Sequence, residues 1–220
     1  MHFALSTRPR FGAERRVLDK ADFDDCPIFP FEKLTREQRQ LVAQLSHRLI
    51  ARDPTVFDEI DSFFGGLFGL DVRDLEVVRD TLEVAMPYIE SRNRACNPPR
   101  PVEREHFRKR LESILRPFFK VTGDEAQVEL WKPDAAFLQR AAPFGLLLIS
   151  KRGTQMPAPD ELFRDVLLKL ADDTGSTRII QEVEGGLLVA LLSQYRYWTP
   201  SRARLLGAEL IREHLTIFET

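Results

Sequence analysis

The chain reads as an α+β protein, an N-terminal helical unit followed by a small sheet with packed helices. Apolar residues recur at helical spacing through residues 35–117, whereas short β-rich apolar runs dominate residues 118–220. No internal repeat or low-complexity tract competes with that change of period. Of the 220 residues 43% are hydrophobic, which is enough to bury one large core or two small ones.

Residues 1–34 form an extended basic, proline-containing lead-in. Arg8, Arg10, Arg15 and Arg16 surround Phe11 and Gly12, and Pro27 and Pro30 space Ile28, Phe29 and Phe31. A helical unit over 35–117 begins at Thr35, which has capping-box spacing to Gln38, with Leu41, Val42, Leu45 and Leu49 on one face. Asp53 and Pro54 start a second helix carrying Phe57, Ile60, Phe63, Phe64 and Leu67, ended near Gly69. Asp71 caps a third, with Leu75, Val78 and Leu82, running up to Pro87. Residues 91–101, with Pro98, Pro99 and Pro101, read as a loop or hinge. A fourth helix over 102–117 uses Phe107, Leu111, Ile114 and Leu115.

The α+β unit is placed at 118–220, with strands at 127–131, 145–150, 178–183 and 187–194. Gly185 and Gly186 mark a hairpin between the last two, and residues 160–171 have the periodicity of a helix packed on the sheet. A final helix is expected over 200–217.

Composition narrows the function. A formal charge of −2 argues against a surface that attracts nucleic acid everywhere, so any DNA contact is local. Cys26 and Cys96 lie far apart and no signal peptide or long apolar run stands out, which predicts a cytoplasmic protein with no membrane contact. His2, His47, His106 and His214 have no metal-ligand spacing with one another or with the cysteines, so no metal and no cofactor is expected. No nucleophile, base and oxyanion set can be assembled, and the chain is read as non-catalytic. A degenerate metal-dependent nuclease around Glu129, Lys132 and Glu182 is the enzymatic alternative. Asn97-Pro-Pro-Arg100 parallels an Asn-Pro-Pro-aromatic methyltransferase motif, but arginine stands where the aromatic belongs.

The densest binding chemistry lies at 194–205. Arg196, Arg202 and Arg204 are permanently charged forks suited to phosphate or carboxylate, and Tyr195, Tyr197 and Trp198 offer flat faces. Pro200 suits a first helical turn, with Thr199 or Ser201 as its cap. The alternative is that Tyr195 and Trp198 close a strand end against the core. The basic run at residues 104–110 reads as a solvated face pairing with Glu103, Glu105 and Glu112.

Together, Phe11-Gly-Ala-Glu-Arg15, Phe23-Asp-Asp-Cys-Pro-Ile28, Leu34-Thr-Arg-Glu-Gln38, Asp58-Glu-Ile-Asp61, Leu67-Phe-Gly-Leu70, Asp80-Thr-Leu82 and Gln194-Tyr-Arg-Tyr-Trp-Thr-Pro-Ser-Arg202 resemble a known region. It is the region that follows the catalytic domain in large bacterial N6-adenine DNA methyltransferases of restriction-modification and phage-defence systems. The resemblance implies a DNA-recognition or docking subunit working beside a separately encoded methyltransferase or defence effector. It implies that Arg196, Tyr197, Trp198, Arg202 and Arg204 contact duplex DNA or the partner, with Arg8, Arg10, Arg15 and Arg16 tracking phosphate. A purely protein-binding subunit of a defence complex is the other reading, and the negative net charge favours it.

Overall fold

The computed structural model describes residues 28–85, 89–121, 123–131, 144–154 and 175–214. Among them are six α-helices and a four-stranded antiparallel sheet, an α+β fold. The chain divides into two compact units, Met1–Ser91 and Arg92–Thr220.

In the first unit a 3-10 turn, Phe31–Lys33, leads into α1 (Arg36–Ile50). Thr35 Oγ1 accepts the Gln38 backbone N–H, and the Gln38 side chain accepts the Thr35 N–H, which satisfies two otherwise orphaned donors. Helix α2 (Val56–Leu67) starts two residues beyond Pro54. Arg48 at the end of α1 bonds Asp53 at 2.9 Å and Glu59 of α2 at 2.7 and 2.8 Å, pinning the intervening turn. The Thr55 hydroxyl and backbone N–H, with Arg48, hold the Asp53 carboxyl down to about 2. Gly69, at φ 71°, releases the chain from α2. Helix α3 (Val72–Asp80) carries the expected Asp71 cap, closed by Asp74 as a capping box, and continues into a π-helical turn, Thr81–Ala85. Gly65 lets α2 approach α3, since a Cβ there would lie 3.1 Å from Leu75.

Helix α4 (Ile89–Cys96) occupies much of the stretch read as a loop, leaving 97–100 as the connection. Helix α5 (Pro101–Val121) runs through Pro117 rather than stopping there. A proline removes one backbone bond, and burial of Phe119, 2% exposed, keeps the last turn in place.

Strands β1 (Ala126–Trp131), β2 (Phe144–Lys151), β3 (Arg178–Val183) and β4 (Gly186–Leu192) are ordered β1-β2-β4-β3. The β3–β4 hairpin turns on Glu184 and Gly185, with φ 83° at the glycine, one residue before the expected pair. Helix α6 (Pro200–His214) follows a 3-10 turn, Tyr195–Tyr197.

The main core joins Phe107, Leu111, Leu115 and Phe119 of α5 to Val128, Leu147, Ile149, Leu187, Val189 and Leu191 of the sheet and to Ala203, Leu206 and Leu210 of α6. Leu146, Ile179, Leu188 and Ala190 form a second cluster on the opposite sheet face. The central strands are therefore apolar on both faces, which is why they read as unbroken hydrophobic runs. Helix α5 shares this core, so the boundary expected at 117/118 is corrected to 91/92. The expected helix at 160–171 lies outside the described residues.

Candidate functional site

The segment from Leu192 to Pro200 is the best-built polar and aromatic cluster in the second unit. Trp198 is 0% exposed; its Nε1–H donates to the Leu192 carbonyl at 3.0 Å, and its ring meets Phe107 at a centroid distance of 5.2 Å. A Cβ on Gly145 would fall 2.5 Å from the same indole, so β2 needs glycine where it passes the ring. Trp198 is therefore a core residue, and its expected role as a DNA- or partner-contacting face is corrected: both its faces are enclosed.

Tyr195 is buried as well. Its backbone N–H donates to the Asn97 carbonyl at 2.8 Å, and the Arg94 guanidinium lies 3.5 Å above its ring. Asn97-Pro-Pro-Arg100 thus props this turn, with Pro99 buried. Glu103 draws the strut together by accepting from Arg94 and from Arg100 Nε at 2.6 Å.

The other expected contact residues divide by position. Tyr197 is half-buried and packs on the main core, and Arg196 lies 5.0 Å over its ring while donating to Gln194 Oε1 at 2.9 Å. Thr199, 1% exposed, caps α6 by accepting the Arg202 backbone N–H at 3.4 Å. Arg202 is exposed on the first turn of α6, and Arg204, two residues on, is half-buried. Arg8, Arg10, Arg15 and Arg16 lie outside the described residues.

The basic run on α5 splits. Arg108 bonds Glu105 and Glu112 at the expected helical spacing and also donates to the Val128 carbonyl at 3.0 Å. These acceptors hold its guanidinium above the ordinary range against the opposing effect of burial. Arg104 turns the other way: its Nη2 donates to Ser193 Oγ at 2.8 Å, and its guanidinium lies 5.4 Å over Trp198. Burial pushes it below the usual arginine range. Sequence spacing could not reveal this contact, which joins residues 89 positions apart.

The carboxylates considered for a nuclease do not converge. Glu129 stands on edge strand β1 and Glu182 on the opposite edge strand β3, roughly 14 Å apart across three strand spacings. Glu129 is in register with Leu148 and Glu182 with Leu187, residues of opposite sheet faces. Glu182 instead meets His214 Nδ1 at 3.3 Å. Lys132 lies outside the described residues. Among the described residues no group of three or more His, Cys, Asp or Glu is placed to hold a metal ion. No described helix is long and apolar enough to cross a membrane.

Fold and site together define an α+β protein in which the aromatic signature segment is an internal strut bordered by arginines. Compared with protein-family models, with curated proteins and with solved structures, the chain has no significant match.

Proposed function

We propose that the chain is a non-catalytic docking subunit, holding a separately encoded methyltransferase or defence effector through its helical unit. The observation that carries this reading is the distribution of apolar side chains in that unit. Among the described residues of the first unit, Met1–Ser91, Leu34, Leu45 and Val56 are the buried hydrophobic ones, while Phe57, Phe64, Phe68, Leu49 and Ile50 are each at least 38% exposed. Phe57, Phe64 and Phe68 follow spacings of seven and four, which bring them to one side of α2 and its C-terminal turn. Burying one such side chain on a partner contributes about 1.5–3 kcal/mol, and clustered apolar exposure of this kind marks interaction surfaces. The partner's class comes from the resemblance in sequence.

A second reading, direct contact with duplex DNA, draws support from Arg202, exposed at the start of α6. With Trp198 enclosed, that contact would rest on guanidinium groups and be strongly salt-dependent.

The test is co-sedimentation of the purified chain with the methyltransferase or effector encoded beside it, using wild type and Phe57→Asp/Phe64→Asp. A complex lost in the double variant, with circular dichroism unchanged, supports docking. No complex with wild type, or one indifferent to the substitutions, overturns it. Fluorescence anisotropy on a labelled duplex across a salt series, with Arg202→Ala/Arg204→Ala, decides the DNA reading.

A further inference from the structure

We infer that Arg104, Ser193 and Arg196 form a subsite for a phosphate-type oxyanion beside the Tyr195–Trp198 turn. The inference is independent of the docking face on the helical unit. It rests on an asymmetry among the arginines of the second unit. Arg94 and Arg100 bond Glu103, Arg108 bonds Glu105 and Glu112, and Arg178 bonds Glu209. Arg104, partly buried on the same helix as Arg108, has a neutral hydroxyl and an aromatic ring as its described partners.

Withdrawing a guanidinium from water without a compensating anion is costly, and structures normally satisfy it with a carboxylate or a bound oxyanion. Desolvation alone acts on Arg104, with no carboxylate among the described residues opposing it. Arg104 reaches Ser193 at one end of the turn and Trp198 at the other. The segment between them carries Arg196, whose described partners are also a neutral amide and a ring. The Arg104 fork beside the Ser193 hydroxyl offers a tetrahedral oxyanion several charge-assisted hydrogen bonds at once, and Arg196 on the same turn adds a second positive charge close to Ser193 in sequence. Ser193 Oγ accepts from Arg104 and so keeps its own proton to donate to the ligand. The same oxygens are presented by free phosphate, by a nucleotide and by a phosphodiester backbone.

The test is calorimetric titration of the full chain with inorganic phosphate at constant ionic strength, repeated on Arg104→Gln and Ser193→Ala. Wild type should bind, and Arg104→Gln should weaken binding at least about tenfold, the cost of a lost charge-assisted bond. Ser193→Ala, a small change at a half-buried hydroxyl, should weaken it less and keeps the test sound if Arg104→Gln fails to fold. Displacement of phosphate by a single-stranded oligonucleotide but not by a mononucleotide assigns the phosphodiester. Displacement by both at similar phosphate concentration assigns a soluble monoester. Absence of phosphate binding by wild type, or equal binding by folded variants, overturns the subsite.

Discussion

The Glu103 side chain is 10% exposed and accepts from Arg94, from Arg100 Nε and from the Arg100 backbone N–H at 2.7 Å. Burial pushes its carboxyl up, but the hydrogen bonds from Arg100 and Arg94 outweigh burial and hold it below the ordinary 4.5. A carboxyl whose folded pKa is depressed stabilises fully above its unfolded value and loses that contribution as pH falls through the folded one. Urea unfolding followed from about pH 7 down to about pH 3 should therefore show stability falling below about pH 4.5, in part through this group. Glu103→Gln should cost about 1–3 kcal/mol at neutral pH and flatten that acid limb. An acid limb identical to wild type would remove Glu103 from this role. At this scale the sequence exposes contacts between near neighbours, such as Arg108 with Glu105 and Glu112. It hides Arg104 with Ser193, because nothing local encodes a contact made by the fold.

Strand β2 and the turn that carries Trp198 depend on one missing side chain. A methyl on Gly145 would sit 2.5 and 2.9 Å from indole carbons, and the indole is fixed by its bond to Leu192 and by Phe107. Overpacking of this kind costs about 1–3 kcal/mol, so Gly145→Ala should lower the urea midpoint by that equivalent. Gly66→Ala serves as control, since a Cβ there meets nothing within 4 Å and helix propensity improves. Equal midpoints for the two variants would contradict the close approach. Elements set by local rules were legible: the Thr35 and Asp71 caps, the apolar runs of β2 and β4, and the glycine hairpin. Helix α4 was not, because its arginines, asparagine and neighbouring prolines resemble a loop. The burial of Trp198 was one of two readings that the sequence left open. A 3-10 turn has no long periodicity to show which ring faces inward, so the same residues read equally well as a surface.

Whole-molecule organisation turns on α5. By sequence it continues a series of helices, yet its face of Phe107, Leu111, Leu115 and Phe119 closes over the sheet, and Gly207 of α6 passes Ile114 so closely that a Cβ would lie 2.8 Å away. Periodicity announces that a helix has an apolar face without saying what covers it. The structural boundary makes a fragment test decisive. Residues 89–220 retain α4 whole, with Arg94 on Tyr195, Asn97 on the turn and every member of the main core. That fragment should unfold cooperatively in urea and keep the near-ultraviolet circular dichroism of an enclosed tryptophan. Residues 118–220, cut where the sequence alone would cut, lose the Phe107 contact to Trp198 and uncover Leu147, Ile149, Val189 and Leu206. Losing Phe107, Leu111 and Leu115, three large buried side chains at about 2–5 kcal/mol each, is comparable to the whole stability of an ordinary domain, so this fragment should show no cooperative transition. A cooperative 118–220 fragment, or a 89–220 fragment without near-ultraviolet signal, would place the boundary elsewhere.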